Sequence, residues 1–154
     1  MTDIELRDLC HRFFDAIERG DYDTVAALYA PEFRMWVNLT NAESTREDNL
    51  AVLRDGAKLH RRRTYDDRRI NTFAGGFVVQ YSVNVVAHSG RRTSLWACVV
   101  AHCKDGQITR LDEYLDSGKF GRPREQVGEE GRAATERVAG KPAPTATNAR
   151  GASS

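Results

Sequence analysis

Residues 104–116, K-D-G-Q-I-T-R-L-D-E-Y-L-D, constrain this chain most. Asp105-Gly106 is a two-residue hairpin signal, because the turns that match strand twist place their central residues at positive φ. The run that follows alternates with the period of two of a β-strand. With Leu111 and Leu115 on an inner face, Thr109 and Glu113 stand beside them. Ile108, Arg110, Asp112 and Tyr114 are left on a face that can meet water. Glu113 is then a carboxylate in the apolar phase of a strand. Ionised, it is costly there unless partnered, so it is either paired or carries a raised pKa.

Upstream of that hairpin, residues 93–102 form a strand entered from the Ser89-Gly90 turn, and residues 77–88 a long strand of strong β-formers entered from Gly75-Gly76. Residues 64–73 are polar and suit an edge strand. The N-terminal half is spaced as helix instead. Leu6, Leu9, Cys10, Phe13, Phe14 and Ile17 recur at intervals of three and four over residues 4–19, and Gly20 suits the left-handed position after a helix. A second, short helix carries Val25, Ala26, Leu28 and Tyr29 and is expected to end at Pro31. Residues 33–39 read as an early strand holding Met35, Trp36 and Val37. Ser44 and Glu47 match a capping box that opens a third helix, with Leu50, Leu53 and Ala57 as its stripe. That helix fades in the basic run 58–63. Three helices around one early strand, followed by an antiparallel meander, predict an α+β fold with helices on one face of a bent sheet.

A length of 154 residues fits one domain with a sizeable core. The net charge of +1 argues against an acidic or basic partner for the chain as a whole. From Gly118 onward Gly, Pro, Ala, Thr and charged residues dominate, with Val127 and Val138 the only aliphatics apart from alanine. The expected organisation is therefore a domain over residues 1–118 and a disordered tail over 119–154, with a transient helix at 125–138. The first residues lack a basic n-region and an apolar h-region, and no apolar run approaches transmembrane length, so a cytoplasmic protein without membrane contact is expected. Cys10, Cys98 and Cys103 are odd in number, and Cys98 and Cys103 fall on opposite faces of one strand, which reads as reduced thiols.

The segments F-F-D-A-I-E-R-G-D, A-A-L-Y-A-P, Trp36-Val37-Asn38 and D-G-Q-I-T-R-L-D-E-Y-L-D give residues 4–117 a resemblance to the SnoaL-like branch of the nuclear transport factor 2-like superfamily. That superfamily includes ketosteroid isomerases and limonene epoxide hydrolases. The resemblance implies a cone-shaped fold, three N-terminal helices packed on a strongly curved, mainly antiparallel mixed sheet, enclosing one pocket. The isomerase site does not carry over. Its oxyanion tyrosine falls on Phe13, its basic aspartate near Val37 and its protonated aspartate near Cys98. The epoxide hydrolase site carries over in part. Trp36-Val37-Asn38 lies where that family has Tyr-x-Asn, and Glu113 falls on its water-activating aspartate. Its arginine and second aspartate fall on Ser82 and Asn84.

With Ser82 and Asn84 inward, alternation turns Val78, Gln80, Val86 and His88 inward too. It leaves Phe77, Val79, Tyr81, Val83 and Val85 as an apolar outer stripe, suited to a homodimer through the outer sheet face, as in many members of the superfamily. On the next strand Trp96, Cys98, Val100 and His102 share the inward side. The expected site has Glu113 as general base and Asn38 holding substrate or water, with Trp36, Gln80, Ser82, Asn84, Trp96 and Cys98 binding a small apolar molecule. The competing account of Glu113 is a buried carboxylate held by Asn38, Asn84 or an arginine. No His-x-x-x-His or Cys-x-x-Cys spacing supports a metal, and no cofactor is required. The basic residues 60–63 with Arg68, Arg69, Arg91 and Arg92 suggest phosphate or nucleic acid. Asp66 and Asp67 interrupt them and no aromatic platform is interleaved, so a solvated face with no nucleic acid partner is expected. The expected function is an isomerase, cyclase, dehydratase or hydrolase acting on an apolar oxygenated substrate. The alternative is a non-catalytic ligand-binding or dimerisation domain.

Overall fold

The computed structural model of the chain describes residues 1–116 and Gly118, so the tail expected at 119–154 and its transient helix lie outside the described residues. Helix α1 (Asp3–Arg19) opens with a capping box in which Thr2 and Glu5 satisfy each other's backbone N–H, and closes on Gly20 at φ 70°. Its buried face is Leu6, Leu9, Cys10, Phe13, Phe14, Ala16 and Ile17, the stripe that the spacing predicted. Helix α2 (Tyr22–Leu28) runs straight into strand β1 (Tyr29–Val37), four residues earlier than expected. Pro31 thus sits inside β1, where pairing with strand β6 (Gln107–Leu115) slips between Tyr29 and Arg34. A proline is tolerated there because the irregularity spares it a ladder hydrogen bond.

Strand β2 (Ala42–Thr45) was not foreseen. Four residues are too short to show a period, yet they pair antiparallel with β1 around a turn that holds Asn41 at φ 50°. This pairing keeps Ser44 in the ladder and moves the capping box one residue on. Helix α3 (Arg46–Lys58) is capped by Thr45 and Asp48 rather than by Ser44 and Glu47. Strand β3 (His60–Phe73) takes up most of the basic run, β4 (Gly76–Ala87) and β5 (Arg92–Lys104) follow, and β6 completes the sheet. Asp105 and Gly106 both have positive φ, 52° and 80°, as the hairpin signal requires.

The six strands lie in the order β2-β1-β6-β5-β4-β3, antiparallel except for the parallel pair β1–β6, with β3 at one edge as expected. Register shifts in β3 between Asp66 and Arg69, and in the β5–β6 pair between His102 and Cys103, are bulges that add local bend and twist. Each also resets the alternation. Ile108 is fully buried rather than outward, and Arg68 turns inward to meet α1, with its guanidinium 2.6 Å from Asp15 and 2.7 Å from Glu18. At Gly76 a side chain has no room, since an added Cβ would run into the Ala101 carbonyl and the Phe73 ring.

The helices cover one sheet face, and the core lies between. Phe77, Val79 and Tyr81 of β4 and Leu95, Ala97, Val99 and Ala101 of β5 belong to it. This corrects the expected facing of both strands. Gln80, Ser82 and Asn84, with Trp96, Cys98, Val100 and His102, point away from the helices, and of the stripe assigned to a dimer surface Phe77, Val79 and Tyr81 are core, with Val83 packed against it. Burying the larger apolar area beneath the helices decides the orientation, at roughly 1.5–3 kcal/mol for each large side chain removed from water.

Candidate active site

Glu113 projects from β6 onto the helix-covered face. Its Oε1 accepts a 2.6 Å hydrogen bond from the Tyr81 hydroxyl of β4, the length expected when the acceptor is ionised. Its other oxygen has no hydrogen-bond partner among the described residues. Tyr81 is held by ring contacts to Phe14 of α1 (4.8 Å between centroids) and Tyr65 of β3 (5.5 Å). Burial raises the Glu113 pKa above its usual value, against the lowering effects of the Tyr81 hydrogen bond and the Arg63 charge. Burial also lifts Tyr81 and Tyr65, so both stay protonated and available as donors.

Along the strands the inner face passes from closed to open. Phe77, Val79 and Tyr81 are buried and Val83 and Val85 half-buried; Ile108 and Leu111 are buried and Glu113 and Leu115 half-buried. Phe33 gives way to Met35 and Val37 in the same way, and Tyr65 to Arg63. Glu113 therefore stands where the inner face passes from buried to partly open, and this partly open stretch forms the recess. Asn49 of α3 backs the same side, accepting from the Tyr29 hydroxyl at 2.8 Å and donating to Met35 Sδ at 2.8 Å. Arg63 leans over the Tyr65 ring, with Cζ 5.6 Å from the centroid.

Asn38 clamps the strand that carries Glu113. Its Nδ2 donates to the Leu115 carbonyl at 3.1 Å, its Oδ1 accepts from the Leu115 N–H at 2.9 Å, and its own N–H donates to the Glu113 carbonyl at 3.0 Å. Trp36 is not in the recess. It packs against Tyr114 on the outer face and donates through Nε1 to Asn41. Gln80, Trp96 and Cys98 line an outer groove of about 460 Å³ with Arg69 and Tyr114, and the Arg69 guanidinium stacks over Trp96. Asn84 borders a second outer groove of about 440 Å³, where it donates to Asp66, and Ser82 pairs with Ser94 at 3.1 Å. Of the eight residues expected to share one pocket, the structure thus places Glu113 in the recess, Asn38 behind it, and the other six on the opposite sheet face.

Tyr81 and Arg63 were missed as site residues, and Tyr65, whose direction the polar pattern of its strand left open, is buried on the inner face. Once Phe77 and Val79 are turned inward, the period of two brings Tyr81 with them, and the same period links Arg63 to Tyr65. The basic residues do not form one patch, since Arg68 is paired with α1, Arg69 covers Trp96 and Arg63 points inward. Burial pushes the Cys10 thiol up to about 12 and the Cys103 thiol up to about 11, which disfavours their thiolate forms. Among the described residues no cluster of three His, Cys, Asp or Glu side chains is arranged to hold a metal, and no helix is long and apolar enough to cross a membrane.

Residues 10–111 match the SnoaL-like domain. The chain belongs to the SnoaL-like family. Its helices on a mixed, open sheet are those of the nuclear transport factor 2-like superfamily. A candidate polyketide cyclase from Xanthomonas campestris pv. campestris is 21% identical, with a TM-score of 0.68 over 75% of this chain and 93% of that one. AclR, a candidate hydroxylase from Streptomyces galilaeus, is 14% identical, with a TM-score of 0.70 over 77% and 94%. An LEH-like epoxide hydrolase from M. tuberculosis is 20% identical, with a TM-score of 0.63 over 75% and 81%. These structures share the fold. No curated protein matches the chain. For this SnoaL-like chain the observed facing also shifts the comparison with the epoxide hydrolases. Tyr81 and Val83, not Ser82 and Asn84, occupy the inward positions of β4.

Proposed function

We propose that this SnoaL-like protein is a small-molecule enzyme that works by general-base chemistry on an apolar, oxygenated substrate, with Glu113 as the base. The carrying observation is the short Tyr81–Glu113 hydrogen bond on the partly open inner face, which leaves one carboxylate oxygen without a partner among the described residues. Tyr81 fixes Oε1, so Oε2 is the atom free to take a proton. Abstracting it from a carbon next to a carbonyl moves the C–H electron pair toward the carbonyl oxygen and turns Glu113 into a neutral acid. Burial favours that acid, which can return the proton at another carbon. Isomerisation, elimination and ring closure all follow from this exchange, and water activation uses the same oxygen. Asn38 is a positioning residue in this scheme, holding β6 in register beside β1. Names borne by proteins of the same fold, a cyclase and an epoxide hydrolase among them, agree with such chemistry.

The test is turnover of a panel of β-dicarbonyl compounds and epoxides by the wild type and Glu113→Gln. Loss of turnover with retained binding supports the base. Binding without turnover in the wild type would instead make the protein a ligand carrier. The assembly we propose is a homodimer through the outer sheet face in a reducing, cytoplasmic setting. Trp96 and Tyr114, 46% and 48% exposed, replace the β4 stripe as its apolar residues. Sedimentation velocity at monomer mass, unchanged by Trp96→Glu, would dismiss it.

A further inference from the structure

Arg63 is the charged group of the recess that the mechanism above does not use. It sits on the inner face of β3, and its neighbours Arg62 and Thr64 face the outer groove. Its Nε is buried with no hydrogen-bond partner, although most buried polar groups find one. No ion pair or hydrogen bond involves its guanidinium among the described residues. Its Cζ lies 5.6 Å from the Tyr65 ring centroid, and its Nη1 passes beside Gly56 of α3. The charge is near enough to favour ionised Glu113 and too far to touch it. A guanidinium in such surroundings ordinarily takes a planar anion in its fork, and an unpaired one is costly. Arg63 and Glu113 thus share the partly open stretch of the inner face, beside the Tyr65 and Tyr81 rings.

We propose that Arg63 is the substrate-anchoring residue, and that the recess takes a small apolar molecule carrying one carboxylate, seated on the Arg63 fork with its carbon skeleton against Tyr65 and its reacting end toward Glu113. This deepens the proposed function and rests on it for the reacting end only, since the anchoring is a binding event that Glu113 chemistry does not enter.

The probe pair is 2-naphthoate and its uncharged analogue 2-naphthamide, titrated calorimetrically into the full chain while the side-chain Nε–H signal of Arg63 is followed by NMR. Naphthoate is expected to bind more tightly than the amide and to shift the Arg63 Nε–H signal. Arg63→Gln should weaken naphthoate by roughly ten- to a hundredfold, the range for a hydrogen bond to a charged group, and leave the amide unchanged. Arg63→Lys keeps the charge without the fork and should fall between, which separates anchoring from any effect on folding. Glu113→Gln should leave naphthoate binding intact or tighter by removing a like charge, even while it abolishes turnover. Failure of the base reading therefore shows in turnover alone, and failure of the anchor shows in binding alone. Equal affinity for acid and amide, no binding of either, or indifference to Arg63→Gln overturns the proposal.

Discussion

Replacing Tyr81 with Phe removes one oxygen from the core and tests whether Glu113 is ionised there. The ring, its contacts to Phe14 and Tyr65 and nearly all its volume remain, so cavity effects stay small. What is lost is a 2.6 Å donor to a carboxylate. A hydrogen bond to a charged group contributes about 1.5–3 kcal/mol, and one between neutral groups about 0.5–1.5 kcal/mol. The sign with pH follows from the carboxyl. In the folded state its pKa is raised by burial above the ordinary 4.5, so it favours folding below that value and loses this contribution as pH rises through the folded pKa. The Tyr81 hydroxyl offsets part of that loss by favouring the ionised form. Tyr81→Phe should therefore raise the Glu113 pKa further. It should cost about 1.5–3 kcal/mol well above the folded pKa but only about 1 kcal/mol below the unfolded one. Urea denaturation at both extremes measures the two values, and a carbon-detected titration of the Glu113 carboxyl measures the pKa directly. Equal losses at the two extremes, with an unmoved titration, would refute the ionised pair.

Glu113→Gln should raise stability at neutral pH, because a buried charge is replaced by an amide that can still accept from Tyr81; the gain should vanish below the ordinary Glu pKa in the same urea titration. Asn38→Ala should cost about 1–3 kcal/mol by leaving the Leu115 backbone groups unpaired, and should lower turnover through misplaced Glu113 more than it alters ligand affinity. Gly76→Ala should destabilise by roughly 1–3 kcal/mol, as the new methyl meets the Ala101 carbonyl; thermal unfolding within error of the wild type would contradict that crowding. Arg68→Gln breaks two ion pairs and a bond to the Tyr65 carbonyl. Because Asp15 and Glu18 are partly solvated, the expected loss is on the order of 2 kcal/mol, measured by chemical denaturation at low and high salt.

Features set by neighbours along the chain were legible, and features set by pairing across the sheet were not. The α1 stripe, the left-handed Gly20 and the Asp105-Gly106 turn depend on local geometry, and the residues that satisfy it are visible in order. Alternation likewise put Glu113 with Leu111 and Leu115. It divides a strand into two faces without saying which is buried, and for β4 the resemblance to an epoxide hydrolase was allowed to choose, bringing Ser82 and Asn84 inward. The apolar bulk of Phe77, Val79 and Tyr81 pointed the other way, and burial follows bulk.

The bulges were hidden for a different reason, and they matter more to the site. Counted by twos from Tyr65, position 67 faces inward and Arg68 outward. Asp67 instead adopts φ 55° and lets the chain gain a step, so that Arg68 reaches Asp15 and Glu18. Arg68 thus takes up Asp15 and Glu18 of α1, while Arg63 Nε stays buried without a hydrogen-bond partner. A bulge arises where two strands of unequal residue count must stay in register, which neither strand's own pattern records. The fold thereby separates the eight clustered basic and histidine residues, pairing Arg68 with the helix, stacking Arg69 on Trp96 and leaving Arg63 on the inner face against Tyr65.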